Sequence, residues 1–118
     1  MKKILIVEDV ELNVELVTQL LEDDFELAVA RDGEQGIAMA TSERPDLILM
    51  DMSLPLCDGY EATRRIRAAG LAMPIIGLSA HAMAGDAERA IAAGCDAYLT
   101  KPIDDAELFA TLDRYLGA

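Results

Sequence analysis

Five polar residues stand directly behind short apolar runs. Glu8 and Asp9 follow Ile4–Val7, Asp51 follows Leu47–Met50, Ser79 follows Ile75–Leu78, and Lys101 follows a run that closes on Leu99 and Thr100. If the runs are strands, these residues share one edge of a sheet. Three carboxylates gathered there repel and need compensation. A hard divalent cation with oxygen ligands supplies it, and Mg²⁺ suits a shallow site because it keeps waters and pairs with phosphate. A lysine adds positive charge, and a hydroxyl adds a donor for an oxyanion. Carboxylate, cation, hydroxyl and ammonium together make a phosphoryl-transfer site, with a carboxylate oxygen attacking phosphorus in line. Each member has an ordinary reading when taken alone. An acidic pair caps a helix, an aspartate opens a turn, and a lysine sits on the surface. The specificity lies in the whole set in this chain order.

The elements that must position these residues are legible in the hydropathy pattern. Five short apolar runs, Ile4–Val7, Leu27–Ala30, Leu47–Met50, Ile75–Leu78 and Ala97–Leu99, alternate with amphipathic stretches near 11–22, 33–43, 59–69, 85–93 and 105–116. Runs this short, bounded by turn formers, read as strands buried on both faces. Leu12, Leu16 and Leu20, with Val17 and Leu21 beside them, mark a helical stripe; so do Ala62, Ile66 and Ala69, and Leu108, Leu112 and Leu116. Asp32, Asp58 and Asp104 stand at helix N-cap positions, Gly70 and Gly94 just past helix ends. Pro45 and Pro74 precede strands, where a missing N–H is tolerated. The expected fold is a three-layer α/β/α sandwich with five parallel strands and five helices. The flavodoxin-like order 2-1-3-4-5 fits this count, and ligands bind such sheets at the carboxyl edge.

Composition narrows the function. The 118 residues suit one domain, 1–118, and 53% of them are hydrophobic, ample for a core. Met1-Lys2-Lys3 begins like a signal peptide, but the apolar run behind it is only Ile4–Val7. No run approaches the ~18 apolar residues of a membrane span. The expectation is a soluble, cytoplasmic protein. Cys57 and Cys95 match no metal or redox spacing. A formal charge of −12, from 22 acidic and 10 basic residues, argues against nucleic-acid binding. Glu22-Asp23-Asp24 reads as solvated surface.

Along its whole length the chain resembles the receiver (CheY-like) domain of two-component response regulators. The resemblance rests on Ile4-Leu5-Ile6-Val7-Glu8-Asp9, on Leu47 through Pro55, and on Asp58-Gly59, Ser79-Ala80, Tyr98 and Lys101-Pro102. Phrases such as Glu11-Leu12-Asn13, Ala82-Met83-Ala84-Gly85-Asp86 and Gly94-Cys95-Asp96-Ala97-Tyr98 are similar to DivK-like single-domain regulators and to receivers of hybrid kinases.

The resemblance implies roles. Asp51 would accept a phosphoryl group from a histidine kinase or histidine phosphotransfer protein. Glu8, Asp9 and Asp51 would hold Mg²⁺, with the backbone carbonyl of Ser53 completing the shell. Ser79 would move toward the phosphoryl group, Lys101 would pair with Asp51 or its phosphate, and Tyr98 would turn inward as Ser79 moves. The Lys101-Pro102 bond is expected to be cis. Side chains at Ser53 and His81 would tune water access and so phosphate lifetime. Met83 belongs either to a loop that rearranges or to the core, and Asn13 either contacts the acidic pair or merely sits on its helix. The chain would promote only its own phosphorylation and dephosphorylation, and would signal through the face made by helix 4, strand 5 and helix 5. Val10 and Val14 on the first helix are the apolar candidates for docking a phosphodonor.

Two other functions compete with a kinase regulator or phosphorelay shuttle. A haloacid-dehalogenase-like phosphatase also uses an aspartate nucleophile with Mg²⁺, but wants a second Asp where Ser53 stands. A flavodoxin-like cofactor binder wants a Ser/Thr/Gly-rich loop where Glu8-Asp9 stands. Within the signalling class, a motor-binding chemotaxis regulator is the alternative.

Overall fold

The computed structural model describes residues 1–54, 57–80 and 85–117. Strands and helices alternate: β1 Lys3–Val7, α1 Glu11–Leu21, β2 Glu26–Ala30, α2 Gly33–Glu43, β3 Leu47–Asp51, α3 Gly59–Ala68, β4 Ile75–Ser79, α4 Asp86–Ala93, β5 Ala97–Thr100 and α5 Asp105–Leu116. All four strand pairings are parallel, and the sheet order is β2-β1-β3-β4-β5. The expected fold and order are both found. Asp51 and Ser79 are the last residues of their strands, as expected, and β5 ends on Thr100, just before Lys101.

Alternation along the strands builds two cores. Ile4, Ile6, Leu47, Leu49, Ile76 and Leu78 face a layer in which α1 contributes Val17 and Leu21, and α5 contributes Leu108 and Leu112. Leu5, Val7, Ile48, Met50 and Ile75 face the other layer, with Ala40 of α2, Ala62 and Ile66 of α3, and Ala90 and Ala93 of α4. A central strand sandwiched this way is apolar on every residue, and β3 is buried throughout.

Three helices start as expected. The carboxylates of Asp32, Asp58 and Asp104 accept hydrogen bonds from the backbone N–H groups of Gln35, Glu61 and Glu107. Gly70 and Gly94 adopt positive φ after α3 and α4. Two readings of helix faces are corrected. The core face of α1 is Val14, Val17 and Leu21, whereas Leu12 and Leu16 are 62% and 52% exposed. Val14, expected to be exposed, is only 5% so, while Val10 is 47% exposed. Ala69 likewise lies outside the buried stripe of α3. Among the described residues, no helix is long and apolar enough to cross a membrane.

Candidate phosphoryl-transfer site

Strand register assembles the site. Val7 pairs with Met50, so Glu8 and Asp51 arrive next at the same level. Asp51 pairs with Leu78 and Ser79 with Thr100, which carries Ser79 and Lys101 to the same edge. Ser79 is buried, and its carbonyl accepts a 2.7 Å hydrogen bond from the Lys101 backbone N–H. Behind β3 the chain turns under tight constraint. A Cβ on Gly59 would stand 2.4 Å from the Asp51 carbonyl oxygen and 2.6 Å from Met52 Cα, so only glycine lets α3 start this close to the site.

The carboxylate oxygens of Glu8, Asp9 and Asp51 lie within 4.8 Å of one another. Glu8 and Asp51 are buried, and Asp9 is exposed. The Lys101 ammonium stands 2.6 Å from Glu8 Oε1 and 3.5 Å from Asp51 Oδ2. Backbone groups fix the acids: the Ser53 N–H donates to Asp51 Oδ1 at 3.0 Å, and the Val10 N–H donates to Glu8 Oε2 at 3.1 Å. An all-oxygen donor set with one exposed side fits Mg²⁺, which binds through few carboxylates and retains water.

Proton affinity is divided unequally between the two buried acids. Burial pushes Asp51 up to about 6, helped by the neighbouring Glu8 carboxylate and opposed by the Ser53 N–H and by Lys101. Burial also works against ionised Glu8. There the hydrogen bond from Lys101, the contact with Asp51 and the Val10 N–H outweigh it and hold the carboxyl below its ordinary value. Glu8 therefore ionises first, and Asp51 holds its proton until the pH passes about 6.

Tyr98 is half-buried on β5, beside Gly77. A Cβ on Gly77 would meet Met52 Sδ at 3.2 Å and the Tyr98 ring at 3.4 Å, so the missing side chain makes the seat for that ring. The Lys101-Pro102 bond is cis, as expected. His81 and Met83 lie outside the described residues. Cys57 and Cys95 are buried, and burial pushes both thiols up, Cys95 to about 11, so neither is a reactive thiolate.

The sequence reading missed two features. One is the Glu8–Lys101 pair, which joins residues 93 apart in the chain. The other is a groove of about 360 Å³ between α1 and the start of α5. Glu8 and Lys101 form part of its lining, together with Asn13, Leu16, Leu20 and Ile103. No sequence signal marked it, because Leu16 reads as part of a core-facing stripe and only the structure exposes it.

Comparison with known proteins agrees with this geometry. Residues 4–113 match the response regulator receiver domain. The polar-differentiation response regulator DivK of Brucella anthropi is 40% identical over 119 residues, covering 98% of this chain and 97% of that protein. Among solved structures, the receiver domain of the sensor histidine kinase PA1611 from Pseudomonas aeruginosa is 42% identical. It has a TM-score of 0.90, covering 99% of this chain and 98% of that one, and it carries a magnesium ion coordinated in its active-site cleft. The chemotaxis protein CheY4 of Vibrio cholerae is 29% identical with a TM-score of 0.90, at 98% coverage of both chains. These likenesses decide for a signalling module over a phosphatase or a flavodoxin-like cofactor binder. The chain belongs to the response regulator receiver family of two-component signalling, and among its relatives it is DivK-like.

Proposed function

We propose that Asp51 accepts a phosphoryl group from a histidine kinase or histidine phosphotransfer protein. Mg²⁺ would be held by Glu8, Asp9, Asp51 and the backbone carbonyl of Ser53. The carrying observation is a buried carboxyl at the end of β3, flanked by two further carboxylates and within 3.5 Å of an ammonium group. Bound Mg²⁺ supplies charge neutralisation for the phosphoryl oxygens. The chain's own part is to keep Asp51 buried and oriented by the Ser53 N–H, to bring Lys101 to the opposite side, and to offer the Ser79 hydroxyl from β4. The chain acts only on its own acyl phosphate. Its output is a protein contact through α4, β5 and α5, as a DivK-like kinase regulator or phosphorelay shuttle.

The phosphodonor would dock on α1, where Val10, Leu12 and Leu16 are exposed and where the groove runs to Glu8 and Lys101. This layer is acidic. Glu11, Glu15, Glu22, Asp23 and Asp24 lie on or just after α1, and Asp104, Asp105 and Glu107 begin α5. A fitting partner presents an apolar side chain flanked by lysine or arginine.

The test is incubation with a small phosphodonor and Mg²⁺, followed by intact-mass measurement. One acid-stable, base-labile phosphoryl group is expected, and none on Asp51→Asn. Labelling that survives the substitution would remove Asp51 as the acceptor.

A further inference from the structure

The turn from β2 into α2 brings no ligand to the candidate metal site, yet it is bonded toward both loops that do. Glu8 and Asp9 lie in the β1–α1 loop, and Ser53 lies in the β3–α3 loop. Residues 31–35 form a stiff local unit between them. The Asp32 carboxylate accepts from the Gln35 N–H at 2.8 Å, and the Gln35 side chain accepts from the Arg31 N–H at 3.0 Å. Side chains and backbone bond each other in both directions, in the manner of a capping box. The unit is also seated on the sheet. The Glu8 N–H donates to the Ala30 carbonyl at 3.0 Å, one residue before Arg31. A Cβ on Gly36 would meet Val7 Cγ1 at 3.0 Å, one residue before Glu8.

Two ion pairs reach outward from this unit, one toward each loop. Arg31 pairs with Glu11, the first residue of α1 and two positions after Asp9. Glu34 receives both terminal nitrogens of Arg65 on α3, at 2.6 and 3.2 Å. Arg65 Nη1 also lies 3.8 Å from Cys57 Sγ. Gly33 is pressed against the same residue, since an added Cβ would stand 2.9 Å from Cys57 Cβ. The far end of the β3–α3 loop is thus held between Gly33 and Arg65. Its near end carries the Ser53 N–H that orients Asp51.

Arg31, Glu11, Glu34 and Arg65 are all exposed. Pairs of this kind contribute little to global stability. Their placement suits a different task, which is to narrow the positions open to the two loops. Groups that orient ligands from outside matter more to a metal site than to the fold.

We propose that residues 31–35 brace the metal site from outside. Arg31 fixes the β1–α1 loop through Glu11, and Arg65 fixes the β3–α3 loop through Glu34 and Cys57, so both arginines are positioning residues for Mg²⁺. The effect on Mg²⁺ rests on the reading of Glu8, Asp9 and Asp51 as its ligands. The brace itself rests on the ion pairs and the packing of Gly33.

Charge and positioning predict opposite signs. Removing an arginine leaves the acidic site more negative, and charge alone would then tighten Mg²⁺. A loosened loop weakens it. In calorimetric titrations of the full chain, Arg31→Gln and Arg65→Gln should each bind Mg²⁺ about fivefold more weakly, less than the loss of a direct hydrogen-bond partner of a ligand would cost. The urea midpoint should barely move. Arg64→Gln is the control: Arg64 pairs with Glu61 on its own helix, and its loss should show the charge effect alone. Exchanging the pair, Glu34→Arg with Arg65→Glu, should recover most of the lost affinity. Metal-free amide exchange reads the brace directly. The Val10 N–H should exchange several-fold faster in Arg31→Gln, and the Ser53 N–H in Arg65→Gln. Tighter or unchanged Mg²⁺ binding in either variant overturns the arm it tests, and an exchanged pair that recovers nothing overturns the Arg65 arm. A urea midpoint that falls in step with affinity also overturns the proposal, because the pairs would then be general stabilisers. A wild-type chain that binds no Mg²⁺ counts against the metal reading. The exchange rates of Val10 and Ser53 then decide the brace by themselves, and unchanged rates overturn it.

Discussion

Lys101 is bonded to Glu8 at 2.6 Å and only approaches Asp51, at 3.5 Å. The ammonium and an incoming cation thus want the same carboxylate. Were Glu8 to hold Mg²⁺ as proposed, its bond to Lys101 would loosen and the lysine would turn to the oxygens on Asp51.

Lys101→Ala should accordingly bind Mg²⁺ more tightly than the parent, by roughly fivefold, about 1 kcal/mol for removing one nearby positive charge. The same substitution leaves Glu8, 2% exposed, without its partner. Metal-free Lys101→Ala should therefore lose about 3 kcal/mol in urea unfolding, and saturating Mg²⁺ should restore much of it. Calorimetric titration and unfolding curves with and without Mg²⁺ check both signs.

The pH dependence follows from Asp51. Its carboxyl is raised in the folded chain to about 6, against about 3.9 for an unfolded aspartate. Between those values the native state binds more protons than the unfolded state. The contribution of this group to stability is therefore full below pH about 4 and is lost as pH rises toward 6. Glu8 is lowered, so its contribution has the opposite sign: it is present above about pH 4.3 and lost on acidification. Asp51→Asn removes only the first. It should stabilise the metal-free protein at pH 7.5 and give little or no gain at pH 4. Because Mg²⁺ must displace the Asp51 proton, its affinity should fall about tenfold per pH unit below 6. Denaturant unfolding and Mg²⁺ titration across pH 4.5–8 measure these trends.

Arg67→Met keeps the length of the side chain and removes every donor. The Gly94, Leu71 and Met73 carbonyls and the Asp96 carboxylate then lose a partner together. A loss of about 2–4 kcal/mol is expected from a network of this kind. Arg67→Lys should recover little, since one ammonium cannot reproduce the planar fork. Chemical denaturation of both variants checks this.

On α1, the double substitution of Leu12 and Leu16 to alanine touches exposed side chains. Stability should change by less than about 0.5 kcal/mol, whereas the rate of phosphotransfer from a protein donor should fall at least tenfold. Labelling by a small phosphodonor should be unchanged. If protein and small-molecule donors are affected equally, α1 is not the docking face.

Much of this was legible from particular residues. The strands declared themselves because parallel central strands are apolar on both faces, and the three N-cap aspartates because their side chains bond locally. The face of α1 was misread for a geometric reason. Leucines four residues apart advance about 400° around the helix, so each is displaced about 40° from the last. Leu12 and Leu16 consequently fall outside the buried arc, while Leu20 reaches its edge. Val14, Val17 and Leu21 alternate steps of three and four and stay on the sheet. The residues gathered at the carboxyl edge were legible because each ends a strand or follows one closely. The Lys101–Glu8 bond was not, because nothing local distinguishes Glu8 from Asp51 as the lysine's partner. Arg67 sits among Arg64 and Arg65 in what looks like an ordinary solvated basic run, and only its angle on α3 turns it inward. Arg44, ending α2 in the left-handed conformation at φ 45°, occupies a position where glycine would have been the expected signal.

The two helical layers also differ in charge balance: arginines offset most of the acids on the α2–α4 side, while α1 and α5 together hold a single arginine, Arg114. The arginines Arg44, Arg64, Arg65, Arg67 and Arg89 belong to the α2–α4 side of the sheet, while acidic side chains crowd α1 and α5. The molecule is consequently an electric dipole, with its negative pole on the side from which Asp51 would be approached. Torque from a charged partner acts before any surfaces touch, so productive encounters become a larger share of all collisions at low ionic strength. That advantage fades as the Debye length shrinks below about 10 Å.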